Sequence, residues 1–192
     1  MFRIITIYLA IFAFACNSSS DISNMQLVGE LHNSKSTEEH FNYLHPSFKL
    51  YYTSVKSGLD GENLKNLLDS DYALNPVRVI ADTIVQTDTA VTVIIHEQND
   101  LSRLIELENW KSRNTFIFKD GKIYRQLYSP INDDKFKGSL TPAITWLLEN
   151  DSINLVSVYD LDKKKIRQQD AASALKWVEL LTKWKSQDDP AL

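Results

Sequence analysis

The chain has 192 residues, a formal net charge of −4 and a pI near 5.6. An acidic balance of this size offers no basic face for neutralising phosphates, which excludes nucleic acid as the expected partner. A single cysteine rules out an intramolecular disulfide, so a hydrocarbon core must hold the fold, and residues 36–192 are long enough to bury one such core.

Met1, Phe2 and Arg3 precede an apolar run from Ile4 to Ala15, the single-charge start and short hydrophobic stretch of a secretory signal peptide at 1–15. The run stops well short of the roughly 20 apolar residues that a spanning helix needs. Its end, Ala13-Phe14-Ala15-Cys16, resembles the lipobox of bacterial lipoproteins. That resemblance implies cleavage before Cys16, lipid attachment (palmitate among the acyl groups) at its sulfur and, with Asn17 following, an outer-membrane address in the cell envelope. Each buried methylene of such an anchor contributes about 0.8 kcal/mol, so several chains suffice to hold a protein at a membrane surface. Residues 16–35, rich in Ser, Asn and Asp, read as the lipidated N-terminus and a flexible tether.

Ser36 and Glu39 have capping-box spacing and predict a short helix over 37–44. Pro46 suits the first turn of a second helix and Gly58 its terminator, with Phe48, Tyr51, Tyr52 and Val55 recurring at helical spacing between them. Asp60 reads as the N-cap of a third helix carrying Leu64, Leu67 and Leu68. From Val77 the period changes to two: Val77, Val79, Ala81, Thr83 and Val85 alternate with Arg78, Asp82 and Gln86, and the β-branched Val91–Ile95 run follows. Asp88-Thr89 and Asn99-Asp100 supply turns, and Asp120-Gly121 is the strongest hairpin signal in the chain. Apolar parity switches between Leu107 and Trp110, which predicts a β-bulge near 109–112. Thr141-Pro142 reads as the start of a helix with Ile144, Leu147 and Leu148. Asp170 caps another, whose stripe is Ala171, Ala174, Leu175, Val178, Leu181 and Trp184 and which is expected against the outer or open side of the sheet. Periodicity leaves 153–159 open between helix and strand.

The order YYTSVKSGLDGENLKNLLDSDYAL at 51–74, then long strands ending in WKSRNTFIFKDGKIYRQLYSP at 110–130, resembles the nuclear transport factor 2-like superfamily, which includes SnoaL-type cyclases. The resemblance implies an α+β fold over 36–135: a strongly bent antiparallel sheet with N-terminal helices on its concave face, a cone with a pocket between the layers. Residues 136–192 then form a C-terminal helical extension packed on the same domain. Where the cyclases carry an acidic and a histidine side chain on the strand after the hairpin, this chain has Tyr124, Arg125, Gln126, Leu127 and Tyr128, so no catalytic residue is transferred.

The four histidines have no metal-ligand spacing, no nucleophile elbow or phosphate loop occurs, and no cofactor is expected. His96 and Glu97, adjacent on a strand, point to opposite faces. Tyr51, Trp110, Arg113, Arg125 and Tyr128 are the pocket candidates, an aromatic lining with cationic groups that suits a small apolar or anionic ligand bound without catalysis. A SnoaL-like cyclase, isomerase or hydrolase is the first alternative. An envelope protein-interaction module, with a second copy of the chain as a candidate partner, is the other.

Overall fold

The structure, a computed structural model, describes residues 23–53, 57–163, 165–166 and 170–187. The signal segment, Cys16 and Val55 lie outside the described residues. No helix among the described residues is long and apolar enough to cross a membrane.

Ser23 accepts the backbone N–H of Gln26 and opens α1 (Asn24–Asn33), whose Leu27, Val28 and Leu31 are buried. The end of the expected tether is therefore part of the core, because these three residues form one apolar helical face. Helix α2 (Thr37–Phe41) starts at the predicted Ser36 cap. The next segment is a strand, β1 (Leu44–Tyr52), where helical spacing had predicted a helix. As an edge strand β1 tolerates Pro46, and its register slips between Leu44 and Lys49 around that residue. Gly58 terminates no helix: a Cβ there would lie 2.9 Å from the Tyr51 ring, a close approach that only glycine permits.

After α3 (Gly61–Ala73) come β2 (Val77–Gln86), β3 (Ala90–Gln98), a short α4 (Asp100–Leu104), β4 (Trp110–Lys119) and β5 (Lys122–Pro130). Asn99 and Ser102 form a capping box that opens α4, so the expected turn is a helix start and this helix, rather than a bulge, accounts for the parity switch before β4. The strand order is β1-β5-β4-β3-β2. The sheet is mixed, not wholly antiparallel, because β1 runs parallel to β5. Bulges fall in the β2–β3 and β4–β5 pairings, where an extra residue bends a sheet. Asp120 (φ 51°) and Gly121 (φ 68°) make the β4–β5 hairpin with the paired positive φ that such turns need.

The remaining chain is α5 (Asp133–Asn150), α6 (Ser152–Val158), the small ribbon β6 (Tyr159–Asp160) with β7 (Lys165–Ile166), and α7 (Ala171–Lys185). Pro142 lies inside α5 rather than at its start. Burial of Leu140, Ala143 and Leu147 along one face carries the helix through it, and Thr141 returns its hydroxyl to the Lys137 carbonyl at 2.8 Å. Helix α7 packs on α3 and α4 instead of the sheet. Its buried stripe is Ala174, Trp177, Leu180 and Leu181, which leaves Leu175 exposed.

Two apolar cores result. The first lies between α1, α3 and the sheet and is built on Leu31, Phe48, Leu64, Val93, Phe116 and Ile123. The second lies among α4 to α7 and is built on Leu107, Leu147, Leu155, Trp177 and Leu180.

Candidate functional site

Strand alternation places Phe48, Leu50 and Tyr52 of β1 on the inner sheet face, opposite Leu64, Leu67, Leu68 and Asp71 on one side of α3. A cavity of about 180 Å³ lies between them. Arg78 of β2, Ile95 and Glu97 of β3, Asn114 of β4, and Gln126 and Tyr128 of β5 complete its sheet wall; His32 and His40 close the helical side.

The polar end of this cavity is a three-charge cluster. Arg78, with only 8% of its side chain exposed, donates through Nε to Glu97 Oε2 at 2.7 Å and through Nη2 to Asp71 Oδ2. Arg78 and Glu97 are register partners across β2 and β3, while Asp71 arrives one helical face down from Leu64. Burial pushes the Asp71 carboxyl up to about 6; the Arg78 guanidinium opposes the rise and the Glu97 carboxylate adds to it.

The histidines are held neutral. Burial, with the Arg78 charge nearby, lowers both His32 and His40 to about 3. His40 Nδ1 shares a 2.9 Å hydrogen bond with the Tyr72 hydroxyl, whereas His32 Nε2 is buried without a partner. Deeper in the sheet wall, Gln126 donates to Asn114 Oδ1 and Asn114 donates to Ser112 Oγ, each at 2.8 Å. These are side-chain donors and acceptors fixed in the sheet wall beside the charge cluster. No cluster of three or more His, Cys, Asp or Glu able to hold a metal ion occurs among the described residues.

A second cavity of about 390 Å³ adjoins the first and shares Tyr52, Glu97 and Tyr128 with it. Its other walls come from α4 through Leu101 and Ser102, and from the start of α5 through Asp133 and Phe136. Asn132 ties that helix start to the sheet, accepting from the Lys111 N–H and donating to the Asn109 carbonyl, both at 2.8 Å. Trp110 Nε1 donates to the Tyr128 hydroxyl at 2.7 Å, and the Tyr52 and Tyr128 rings meet edge-on at 5.2 Å. Burial raises both phenols, Tyr52 to about 12.

Of the five sequence candidates, Tyr128 lines both cavities and Trp110 the second. Tyr51, Arg113 and Arg125 line neither. Arg113 and Arg125 are exposed on the opposite sheet face, Arg125 stacking on Tyr124 at 4.9 Å, because strand alternation turns them away from their inward neighbours Asn114 and Gln126. The same alternation puts Glu97 inside while its neighbour His96 lies on the other face, as expected. Residue-type reasoning missed Asp71, Arg78, His32 and His40. Asp71 sits seven residues after Leu64 and so ends the apolar stripe, a signal present in the sequence. Arg78 was assigned to the polar face of β2, yet it is Val77 and Val79 that are exposed, at 59% and 58%.

No protein-family model and no curated protein matches the chain. Among solved structures, the chain is similar to a nuclear transport factor 2-like protein of unknown function from Cytophaga hutchinsonii (11% identity, TM-score 0.46, 60% of this chain and 96% of the other). It is similar also to a de novo designed protein with a curved β-sheet (15%, 0.46, 65% and 98%) and to a SnoaL-like protein from Jannaschia (13%, 0.43, 57% and 87%). Likeness at this level concerns the fold and carries no activity with it. Helices packed on one face of a bulged sheet, with a cavity between the layers, are the features of fold that the sequence resemblance implied.

Proposed function

We propose that the chain binds a small, largely apolar molecule whose body, with one hydroxyl or carbonyl group, lies in the cavity between α3 and the sheet. The observation that carries this reading is the Asp71–Arg78–Glu97 cluster at one end of a wall of leucines. A nearly buried guanidinium and two carboxylates that are only 27% and 21% exposed give up much of their hydration before their attraction repays it, and hydrophobic groups in place of such clusters are often as stable or more so. Such a cluster has its use in orienting a ligand. Among the described residues Arg78 is the one cation in that wall and is already matched by two carboxylates, and Arg113 and Arg125 stand outside, so this cavity suits an uncharged group better than an anionic one. Displacement of the neutral dye N-phenyl-1-naphthylamine by n-octanol tests this. Saturable binding that Leu68→Trp removes and Leu127→Ala leaves intact is expected; an absence of saturable binding in the wild type would overturn the reading.

A second reading is favoured by Asp71 itself: a carboxyl in the cavity lining whose proton affinity is raised by burial can act as general acid or base on a bound carbonyl compound. Turnover of such a compound that vanishes in Asp71→Asn, while octanol binding persists, would establish it. We further propose lipid attachment at Cys16 and an envelope location. Incorporation of an alkyne-tagged palmitate that Cys16→Ser abolishes is the corresponding test.

A further inference from the structure

The second cavity differs from the first in the sign and shape of its wall. Among the described residues its lining contains two carboxylates, Glu97 and Asp133, and no lysine, arginine or histidine. Four aromatic rings, those of Tyr52, Trp110, Tyr128 and Phe136, form much of the rest. Trp110 and Phe136 meet edge-on at 4.6 Å, and the Trp110–Tyr128 hydrogen bond fixes two of the rings relative to each other. Aromatic faces attract cations through the ring quadrupole, and a nearby carboxylate adds direct charge attraction. Among the described residues Asp133 pairs with Lys137 alone, an i,i+4 partner on the helix surface whose side chain is 68% exposed. A pair of that kind is weak and readily exchanged for a better-enclosed cation. Glu97 faces both cavities: one oxygen accepts from Arg78 and the other from Asn99 Nδ2 at 3.2 Å. The two cavities thus adjoin at a wall that is acidic and aromatic at once.

From this we infer that the second cavity seats a positively charged amine carried on the same ligand whose apolar body lies in the first cavity. The ligand class is an amphiphilic amine, with its tail among the α3 leucines and its ammonium between the aromatic rings and Asp133. This rests on the first cavity being the seat of the apolar body, as proposed above.

The experiment compares n-octyltrimethylammonium, whose charge is independent of pH, with n-octanol and octanoate in the same dye displacement on the full chain. The cation is expected to bind roughly tenfold more tightly than the alcohol, and the carboxylate more weakly than either. Asp133→Asn and Phe136→Leu should each narrow the gap between cation and alcohol while octanol affinity stays put; two variants guard against one failing to fold. Octanol bound as well as the cation, or a gap that survives in both variants, overturns the inference and leaves the first cavity's role standing. Failure of all three ligands on the wild type overturns both.

Discussion

The two cores of this molecule are built on opposite rules. The C-terminal one buries Leu147, Leu155 and Leu180 completely and closes around Trp177, with its charges kept outside in pairs such as Lys183–Asp151 and Lys185–Glu106. The N-terminal core sets Asp71, Arg78, Glu97, His32 and His40 against its leucines. Apolar burial stabilises at about 25 cal/mol per Å², whereas each buried charge or imidazole subtracts from that gain unless it is paired. The second core is therefore organised for stability, and the first gives up stability to keep chemical groups in a cavity.

Acid should expose this difference most strongly. His32 and His40, held at about 3 against an ordinary 6.5, take up protons between those values in the unfolded chain but not in the folded one. Their contribution is fully present above pH 6.5 and is lost as pH falls toward 3. Asp71, raised to about 6, works in the opposite sense: its contribution is present below about 3.8 and lost as pH rises through 6, so acidification regains part of the loss. Two histidines outweigh one aspartate, and urea unfolding should show stability falling by roughly 4 kcal/mol between pH 7 and pH 4. His40→Leu should remove most of that fall, since one histidine alone is nearly offset by Asp71; an unchanged slope would remove His40 from the account.

Arg78→Met leaves two carboxylates facing each other in the first core and is expected to destabilise by about 3–5 kcal/mol at pH 7. Replacing the whole cluster, Asp71→Leu with Arg78→Met and Glu97→Leu, should instead be neutral or stabilising by about 1–4 kcal/mol while abolishing octanol discrimination. A triple variant less stable than wild type would show that the cluster serves the fold. In the other core, Leu147→Ala should cost about 3 kcal/mol through the cavity it leaves, and octanol affinity measured well below the melting temperature should not move. The smallest effect expected is that of Asp170→Ala, which removes the 2.8 Å cap on the Ser173 N–H of α7 and should cost about 1 kcal/mol in thermal unfolding.

Much of the fold was legible residue by residue. The Ser36 and Asp170 helix starts, the Asp120-Gly121 hairpin and the strands over 77–98 follow from local chemistry: a side-chain oxygen that meets an orphan N–H, a pair of residues that accept positive φ, a β-branched run; α3 also starts at Asp60, but without a side-chain cap bond. Local chemistry misled at β1, where aromatic residues fit either period, and at α5, where buried leucines carry a helix through Pro142. Propensity is worth a fraction of a kcal/mol per residue, and tertiary burial overrides it.

The site was less legible, for a related reason. Trp110 and Tyr128 could be found by residue type, since large aromatics line cavities. Arg113 and Arg125 could not be told from Arg78, because which face of a strand turns inward depends on what packs there. Sequence alone determined the acidic balance, the absence of disulfides, the helix caps and the tight hairpin, all properties of residues and their immediate neighbours. Only the tertiary structure decided that β1 lies parallel to β5, that α1 belongs to the core, and that Asp71, Arg78 and Glu97 meet across a helix and two strands. Those outcomes are set by contacts between segments far apart in the chain, where the free energy of burial and ion pairing depends on partners that no local pattern encodes.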